Sequence, residues 1–438
     1  MLLSASAIAQ TGTTAPGVPQ STPVGVPSPT AAQSTTGSPV SSAQSQQIAA
    51  QRLSLADALR MAQARSYLAA GSAARLFGAD ARVRGARMLQ NPSLILSKAV
   101  GNNTGAFGQD IQLTQTFELG DKRRQRVRSA LADQSASFAD RAGVLADLTL
   151  TVQTAYFESL RSEAERQLAI DALTAAQTFA LAAATQFEAG DVPRSNVVRS
   201  GIEQARAEQL LQTAETESAN RSATLASLIG MPAGSTIALT DTLAFTPKNH
   251  SLPALQEAAL RNRPELQSAK RLRESRLAAL HSARIQGQPD LFVEGIHGSF
   301  DPAIPGDSLR VGVTFPLFDY GRNRADAGAA KAALQEQDAV VSETERTVRL
   351  SVETAWRTLE LARRSVESFR AGRLDRASEL LEMARTGYAK GANSFLELLD
   401  AQQVYRLEQT DYARALADFN IAAATLQRAA GGTFDTLP

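Results

Sequence analysis

Cysteine is absent from the 438 residues. That excludes disulfides, thiol nucleophiles, thiolate metal sites and lipid attachment through an N-terminal cysteine. Aromatic residues make up only 5%, so the apolar content rests on Ala and Leu. Such a composition suits helices packed side by side better than a bulky globular core. Neither sign of charge dominates. The formal net charge is +1, and no nucleic acid or other polyanion is implied as a partner. No unbroken apolar run approaches the roughly 18 residues that mark a membrane-spanning helix. The three histidines, His250, His281 and His297, stand far apart and lack ligand spacing. No nucleophile–base set, glycine-rich phosphate loop or metal motif is present. The sequence therefore predicts no catalysis, no cofactor and no resident metal.

Proline is also missing, over two long spans: from Pro92 to Pro193 and from Pro316 to Pro438. After Gly120, residues 122 to 187 are rich in Ala, Leu, Glu, Gln and Arg and contain one glycine, Gly143. At 1.5 Å per residue that predicts a helix of roughly 100 Å. Residues 322 to 388 predict a second of the same length. Helices so long need lateral partners. Shorter helices are predicted over Leu55 to Leu89, broken near Ser66, and over Ser195 to Leu228. The second half offers Leu252 to Ile285, broken at Pro264, and Phe395 to Leu426. Two stacked short helices match the length of one long helix in each half.

The same landmarks occur twice, about 200 residues apart. Asn91-Pro92-Ser93-Leu94 is answered by Gln288-Pro289-Asp290-Leu291. Phe117-Glu118-Leu119-Gly120-Asp121-Lys122-Arg123 is answered by Leu317-Phe318-Asp319-Tyr320-Gly321-Arg322. Val152 to Tyr156 corresponds to Val352 to Trp356, Phe187 to Gly190 to Tyr388 to Gly391, and Leu228 to Gly230 to Arg428 to Gly431. The chain reads as an internal two-fold repeat, with a first copy over 52–245 and a second over 246–432. Ahead of them, residues 1–9 end in Ala7-Ile8-Ala9, the cleavage pattern of a secretory signal whose basic region is missing. Residues 10–51 are rich in Pro, Ser and Thr and read as a disordered linker. Residues 433–438 read as a tail.

Between the helices lie segments of period two. In Gln109 to Leu119, the residues Ile111, Leu113, Phe117 and Leu119 share one face, opposite Asp110, Gln112, Thr114, Thr116 and Glu118. In Ser308 to Phe318, Leu309, Val311, Val313, Phe315 and Leu317 oppose Arg310, Gly312 and Thr314. Their hairpin partners are weaker: Pro92 to Val100, before the 101–105 loop, and Pro289 to Phe300, before Asp301-Pro302. Four strands with one apolar face leave open edges. Two solutions fit: a barrel shared between chains, with the apolar face in lipid, or a sheet packed on a soluble core.

In combination these motifs, with Pro316 to Arg322, Tyr388-x-x-Gly391 and Leu398-Leu399-Asp400-Ala401-Gln402, resemble the TolC-like outer-membrane efflux family over residues 53 to 432. The tip Phe187-Glu188-Ala189-Gly190-Asp191-Val192 most resembles its heavy-metal, cobalt–zinc–cadmium branch. The resemblance implies a mainly α fold with a small β part. Three chains would share a 12-stranded outer-membrane β-barrel, four strands each, continued by a periplasmic α-helical barrel. It implies a passive exit duct, not an enzyme, coupled through a periplasmic adaptor to an inner-membrane RND-type pump. Export of drugs or of a secreted protein is an alternative cargo, and a soluble coiled-coil interaction protein is the alternative from another class.

The resemblance also assigns roles. Gly190, Asp191 and Val192, with Gly391, Ala392 and Asn393, would be hairpin tips that dock on a hexameric adaptor; as turns alone they need no docking. Tyr388 aligns with a tyrosine of the gating network. Glu397 and Asp400, three apart on one helix face, align with acidic selectivity rings, and a solvated acidic face is the plainer reading. Asn393 stands where some members carry an arginine, which departs from the charged gate lock. Gly120, Lys122, Arg123, Gly321 and Arg322 mark the strand-to-helix turns. The cluster Lys122, Arg123, Arg124, Arg126 and Arg128, echoed by Arg322 and Arg324, opposes its own helix dipole. Inner-leaflet headgroups of the outer-membrane lipid are one reason for it to be there, and a solvated face is the other.

Overall fold

Serine and proline set the helix starts. The structure is a computed structural model and describes residues 51–98, 109–232, 234–298, 306–315 and 318–432. These lie in one compact unit that begins at Ile48. The expected signal remnant, the linker up to residue 50, the loops at 101–105 and 301–302, and the tail lie outside the described residues. Strand β1 (Gln51–Leu53) leads into α1 (Leu55–Arg65) and α2 (Tyr67–Arg87). The Ser54 hydroxyl accepts from the Asp57 N–H and Ser66 accepts from the Leu68 N–H, so Ser66 both ends α1 and caps α2. Next come β2 (Ser93–Lys98), β3 (Gln109–Glu118), α3 (Lys122–Glu188) and α4 (Arg194–Leu228). Strand β4 (Ile237–Leu239) precedes α5 (Leu252–Asn262) and α6 (Pro264–Ile285). Pro264 opens α6, where its missing N–H has no intrahelical role. The described chain closes with β5 (Asp290–His297), β6 (Asp307–Thr314), α7 (Arg322–Ser368), α8 (Leu374–Ala389) and α9 (Phe395–Ala430).

The first long helix is continuous over 67 residues. Its short partners lie along it as their lengths predict. Gln134 of α3 bonds Asp80 of α2, and Glu158 of α3 pairs with Arg221 of α4 at 2.5 Å. One stretch of α3 is, by length and composition, apolar enough to cross a bilayer, which qualifies the expectation that no helix reaches that level. The expected continuous helix over 322–388 is corrected. It is interrupted by a π-helical turn, Phe369–Arg373, in which Gly372 has φ 102°. Glycine reaches that conformation without a Cβ clash. The turn is held by Phe369, which is buried against Tyr412, and by Arg373, which lies over the Phe369 ring and pairs with Glu408 at 2.6 Å.

The core follows the helices in three clusters. Leu53, Ala58, Ala62, Leu148, Val152, Tyr156 and Leu225 join β1, α1, α3 and α4. Leu255, Val348, Val352, Val366, Phe419 and Leu426 join α5, α7 and α9. Leu381, Ala384, Leu398 and Ala401 form a smaller cluster of α8 and α9 with Phe179, Tyr388 and Tyr405 around it. A parallel pair, β1 with β4, was not expected from the pattern: Gln51, Arg52 and Leu53 face Ile237, Ala238 and Leu239. Buried Tyr156 fixes this pair. Its hydroxyl points at Asp241 Oδ2 (2.8 Å) and at the Leu53 carbonyl (3.0 Å), and burial together with Asp241 pushes its pKa up. Trp356 acts similarly in α7, its ring N–H donating to the His250 carbonyl just before α5.

The four longer strands form one antiparallel sheet in the order β2-β3-β5-β6. Cross-strand partners share a face. Leu94 and Leu113, Leu96 and Ile111, Phe117 and Leu291, Leu291 and Val313, and Val293 and Val311 are such pairs. This apolar face is uncovered: Leu96, Leu113, Leu309 and Val311 are more than half exposed. The opposite face is mainly polar: it carries Gln112, Thr114, Thr116, Glu118, Asp290, Glu294, Ser308 and Arg310, with the apolar Ile95, Phe292 and Ile296 among them. The outer edges of β2 and β6 have no strand partner among the described residues.

Candidate functional site

Two regions hold the candidate residues: the strand-to-helix turns beneath the sheet and the tips of the helical hairpins. In the first turn Gly120 has φ 67° and Lys122 is buried. The Lys122 ammonium donates to the Gln288 carbonyl at 2.7 Å and to both oxygens of Asp290 at 3.0 Å. Arg123 donates to the Arg87 carbonyl. Arg126 reaches the carbonyls of Ala86 and Met88 and pairs with Glu118. Arg123 and Arg126, which oppose the α3 dipole, thus satisfy orphan carbonyls at the C-terminus of α2, where the dipole favours them. Lys122 is buried, whereas Arg123 stays exposed and Arg126 half-buried, so these bonds account for the three cations without a headgroup. Arg124, Arg128, Arg322 and Arg324 are exposed. In the second turn Gly321 has φ 86° and caps α7, while the Asp319 carboxylate accepts from the N–H groups of Gly321 and Asn323, both at 3.1 Å.

The two tips share one geometry. In the first, the Gly190 N–H donates to the Phe187 carbonyl and the Asp191 N–H to the Gln186 carbonyl; Gly190 has φ 84°. In the second, Gly391 donates to Tyr388 and Ala392 to Gly387; Gly391 has φ 72°. Both are helix ends closed by a left-handed glycine and a six-to-one hydrogen bond. Pro193 stands at the cap of α4, one position before its first helical residue, Arg194. Asn393 packs so closely on Gly387 that a Cβ there would lie 2.5 Å from it. Among the described residues no hydrogen bond or ion pair links Gly190, Asp191 or Val192 to Gly391, Ala392 or Asn393.

Just above the tips, the Tyr388 hydroxyl donates to Gln186 Oε1 at 2.9 Å and its ring lies 5.8 Å from that of Phe395. Burial pushes its pKa up. Tyr388 therefore ties α8 to the end of α3. Glu397 is occupied differently from the sequence expectation. It completes a capping box, its carboxylate accepting from the Ser394 N–H at 2.8 Å while the Ser394 hydroxyl accepts from the Glu397 N–H. Asp400 lines a cleft of about 910 Å³ between α3, α4 and α9, with Asp171, Glu203, Arg199, Arg206 and Arg406. Glu397 does not line it. The Ser394-x-x-Glu397 spacing was the sequence signal for this cap. Among the described residues no three His, Asp or Glu side chains converge on a metal position.

With a sheet that exposes an apolar face and long paired helices below it, the chain matches a family model described as outer membrane efflux protein over residues 59–231 and 255–432. The chain belongs to the outer membrane efflux protein family. The family is one of outer-membrane channels, so the protein is placed in the outer membrane and not among enzymes, and the soluble coiled-coil alternative is overturned. Among similar proteins is the cobalt-zinc-cadmium resistance protein CzcC of Cupriavidus metallidurans, 26% identical over 388 residues, covering 87% of this chain and 91% of CzcC. The pyoverdine export outer membrane protein OpmQ of Pseudomonas putida is 26% identical, covering 85% of this chain and 81% of its own. The crystal structure of the outer membrane protein VceC from Vibrio cholerae superposes with a TM-score of 0.73 at 19% identity, over 87% of this chain and 96% of VceC. This efflux-family fold accounts for the sheet and helices together.

Proposed function

We propose that this efflux-family chain is the passive exit duct of a tripartite exporter and that heavy-metal cations are its cargo. The observation that carries the duct is the sheet: one uncovered apolar face, one polar face and two open edges. Three copies joined edge to edge make a closed 12-stranded barrel with lipid outside and water inside. The helices of the three copies then form the periplasmic tunnel. The tips at Gly190, Asp191 and Val192 and at Gly391, Ala392 and Asn393 dock on a periplasmic adaptor, which links the duct to an inner-membrane RND-type pump. An internal duplication accounts for the matched element lengths: α1 and α5 have 11 residues each, α4 has 35 and α9 has 36. Its copies are residues 52–245 and 246–432.

The metal cargo rests on the likeness to CzcC and on Asp400 and Glu397, which would form rings of three carboxylates around the entrance and favour cations. Tyr388 belongs to the same gate, through its bond to Gln186. The name of OpmQ favours a second reading, an organic cargo. Metal and drug sensitivities of a deletion strain separate the two: loss of zinc, cobalt or cadmium tolerance alone supports metals, and loss of drug tolerance alone refutes them. For the rings, Glu397→Gln with Asp400→Asn is the cleaner test, because Gln keeps the capping box while removing the charge. Cation preference in single-channel recordings should fall; an unchanged preference would remove the ring.

A further inference from the structure

The polar face of the sheet carries few charges, and each described one is paired. At the base, Glu118 pairs with Arg126 and Asp290 with Lys122. Higher up, Arg310 Nη2 lies 3.0 Å from Glu294 Oε2, and the Thr114 hydroxyl donates to Glu294 Oε1 at 3.3 Å. These three side chains occupy one row across the sheet, Thr114 facing Glu294 and Glu294 facing Arg310. Their exposures differ sharply. The Arg310 side chain is 59% exposed and that of Glu294 only 14%. A solute travelling along this face therefore meets a guanidinium whose counter-charge lies behind it. Among the described residues no other carboxylate reaches Arg310 and no other cation reaches Glu294.

Resting on the reading of this face as the barrel lumen, we propose that Glu294 is a positioning residue: it holds Arg310 against the wall and cancels its charge. Thr114 fixes one carboxylate oxygen and leaves the other aimed at Arg310. Without Glu294 the guanidinium is free to extend into water, and three copies then form a ring of three positive charges. A ring of one sign enriches its counter-ions. In the native protein this row thus adds little ion preference of its own, and cation selectivity is left to other parts of the duct. A metal cation leaving through the barrel would not cross an uncompensated basic belt.

The test is the reversal potential of single channels in planar bilayers under a potassium chloride gradient. Glu294→Gln should lower the cation-to-anion permeability ratio by about twofold or more near 0.1 M salt and by much less near 1 M, as the Debye length falls from about 10 Å to about 3 Å. Arg310→Gln should raise the ratio, and the double variant should return it to the native value. Lost packing alone would move none of these in that sign pattern. Native ratios in the Glu294→Gln pore at low salt would overturn the proposal. If that variant does not assemble, a native ratio in the Arg310→Gln pore overturns it equally. Pores that form but do not shift leave the duct standing and remove only this role, whereas a native protein that forms no pore removes the lumen itself.

Discussion

Lys122→Met tests how the sheet is fastened to the first long helix. Lys122 is 6% exposed, and its ammonium donates to the Gln288 carbonyl and both Asp290 oxygens at 2.7–3.0 Å. Methionine keeps most of the apolar stem and removes all three donors. The Asp290 carboxylate then retains only the Leu119 N–H, at 3.3 Å. Breaking a buried ion pair from one side costs about 3–5 kcal/mol. Asp290 is 27% exposed, so water recovers part of that, and about 2–3 kcal/mol is the expected loss. At roughly 1.4 kcal/mol per factor of ten, the junction should open about 30- to 150-fold more often. Hydrogen exchange of detergent-solubilised protein, followed by mass spectrometry on peptides covering 117–126 and 286–294, reads that opening directly. Adding Asp290→Asn should cost less than the sum of the two single changes, because the pair shares one interaction. Native exchange in Lys122→Met, or strict additivity in the double variant, would refute the junction as described.

The remaining predictions concern the helices. Burial alone would raise the Glu265 carboxyl, but its bond to Arg428, a backbone N–H and the charges of Arg263 and Arg428 outweigh this and hold its pKa below the ordinary 4.5. A pKa lowered by folding gives stability that is full above about pH 4.5 and is lost as pH falls through the folded value. Glu265→Gln should therefore lower the melting temperature at pH 7 and do so progressively less in acid; an equal loss at both would contradict the linkage. Gly372→Ala meets nothing within 4 Å, so its cost is backbone strain at φ 102°, about 1–2 kcal/mol. Gly328→Ala, also in open space but in a regular stretch of α7, should instead stabilise by about 0.5–1 kcal/mol. Equal effects of the two alanines on melting would count against a strained π-turn.

Local chemistry was legible where the decisive partner is near in sequence. Ser66 and Pro264 mark the helix breaks because capping and a missing N–H act within one turn. Gly190 and Gly391 mark the tips for the same reason, and period two sorts the strand faces correctly. What escaped depends on distant partners or on ambiguous residues. A glycine inside a helical run, such as Gly372, reads as a small propensity cost, not as a π-turn. Lys122 reads as a surface cation because Asp290, which engages it, lies 168 residues away. The β1–β4 pair is three residues long and joins chain segments separated by the whole of α1 to α4, so no local pattern announces it. At the tip, the acidic pair Glu397 and Asp400 is visible, and the Ser394-x-x-Glu397 spacing also carries the signal of the capping box that engages Glu397.

The native mass of the protein extracted in detergent from outer membranes tests the central claim most directly. Four strands with an uncovered apolar face, and with edges at β2 and β6 unpaired among the described residues, are too few to close a barrel alone. A shared barrel requires a trimer of the 46.5 kDa chain, recovered from the outer-membrane fraction. A monomer, or protein found only in the soluble fraction, would contradict it.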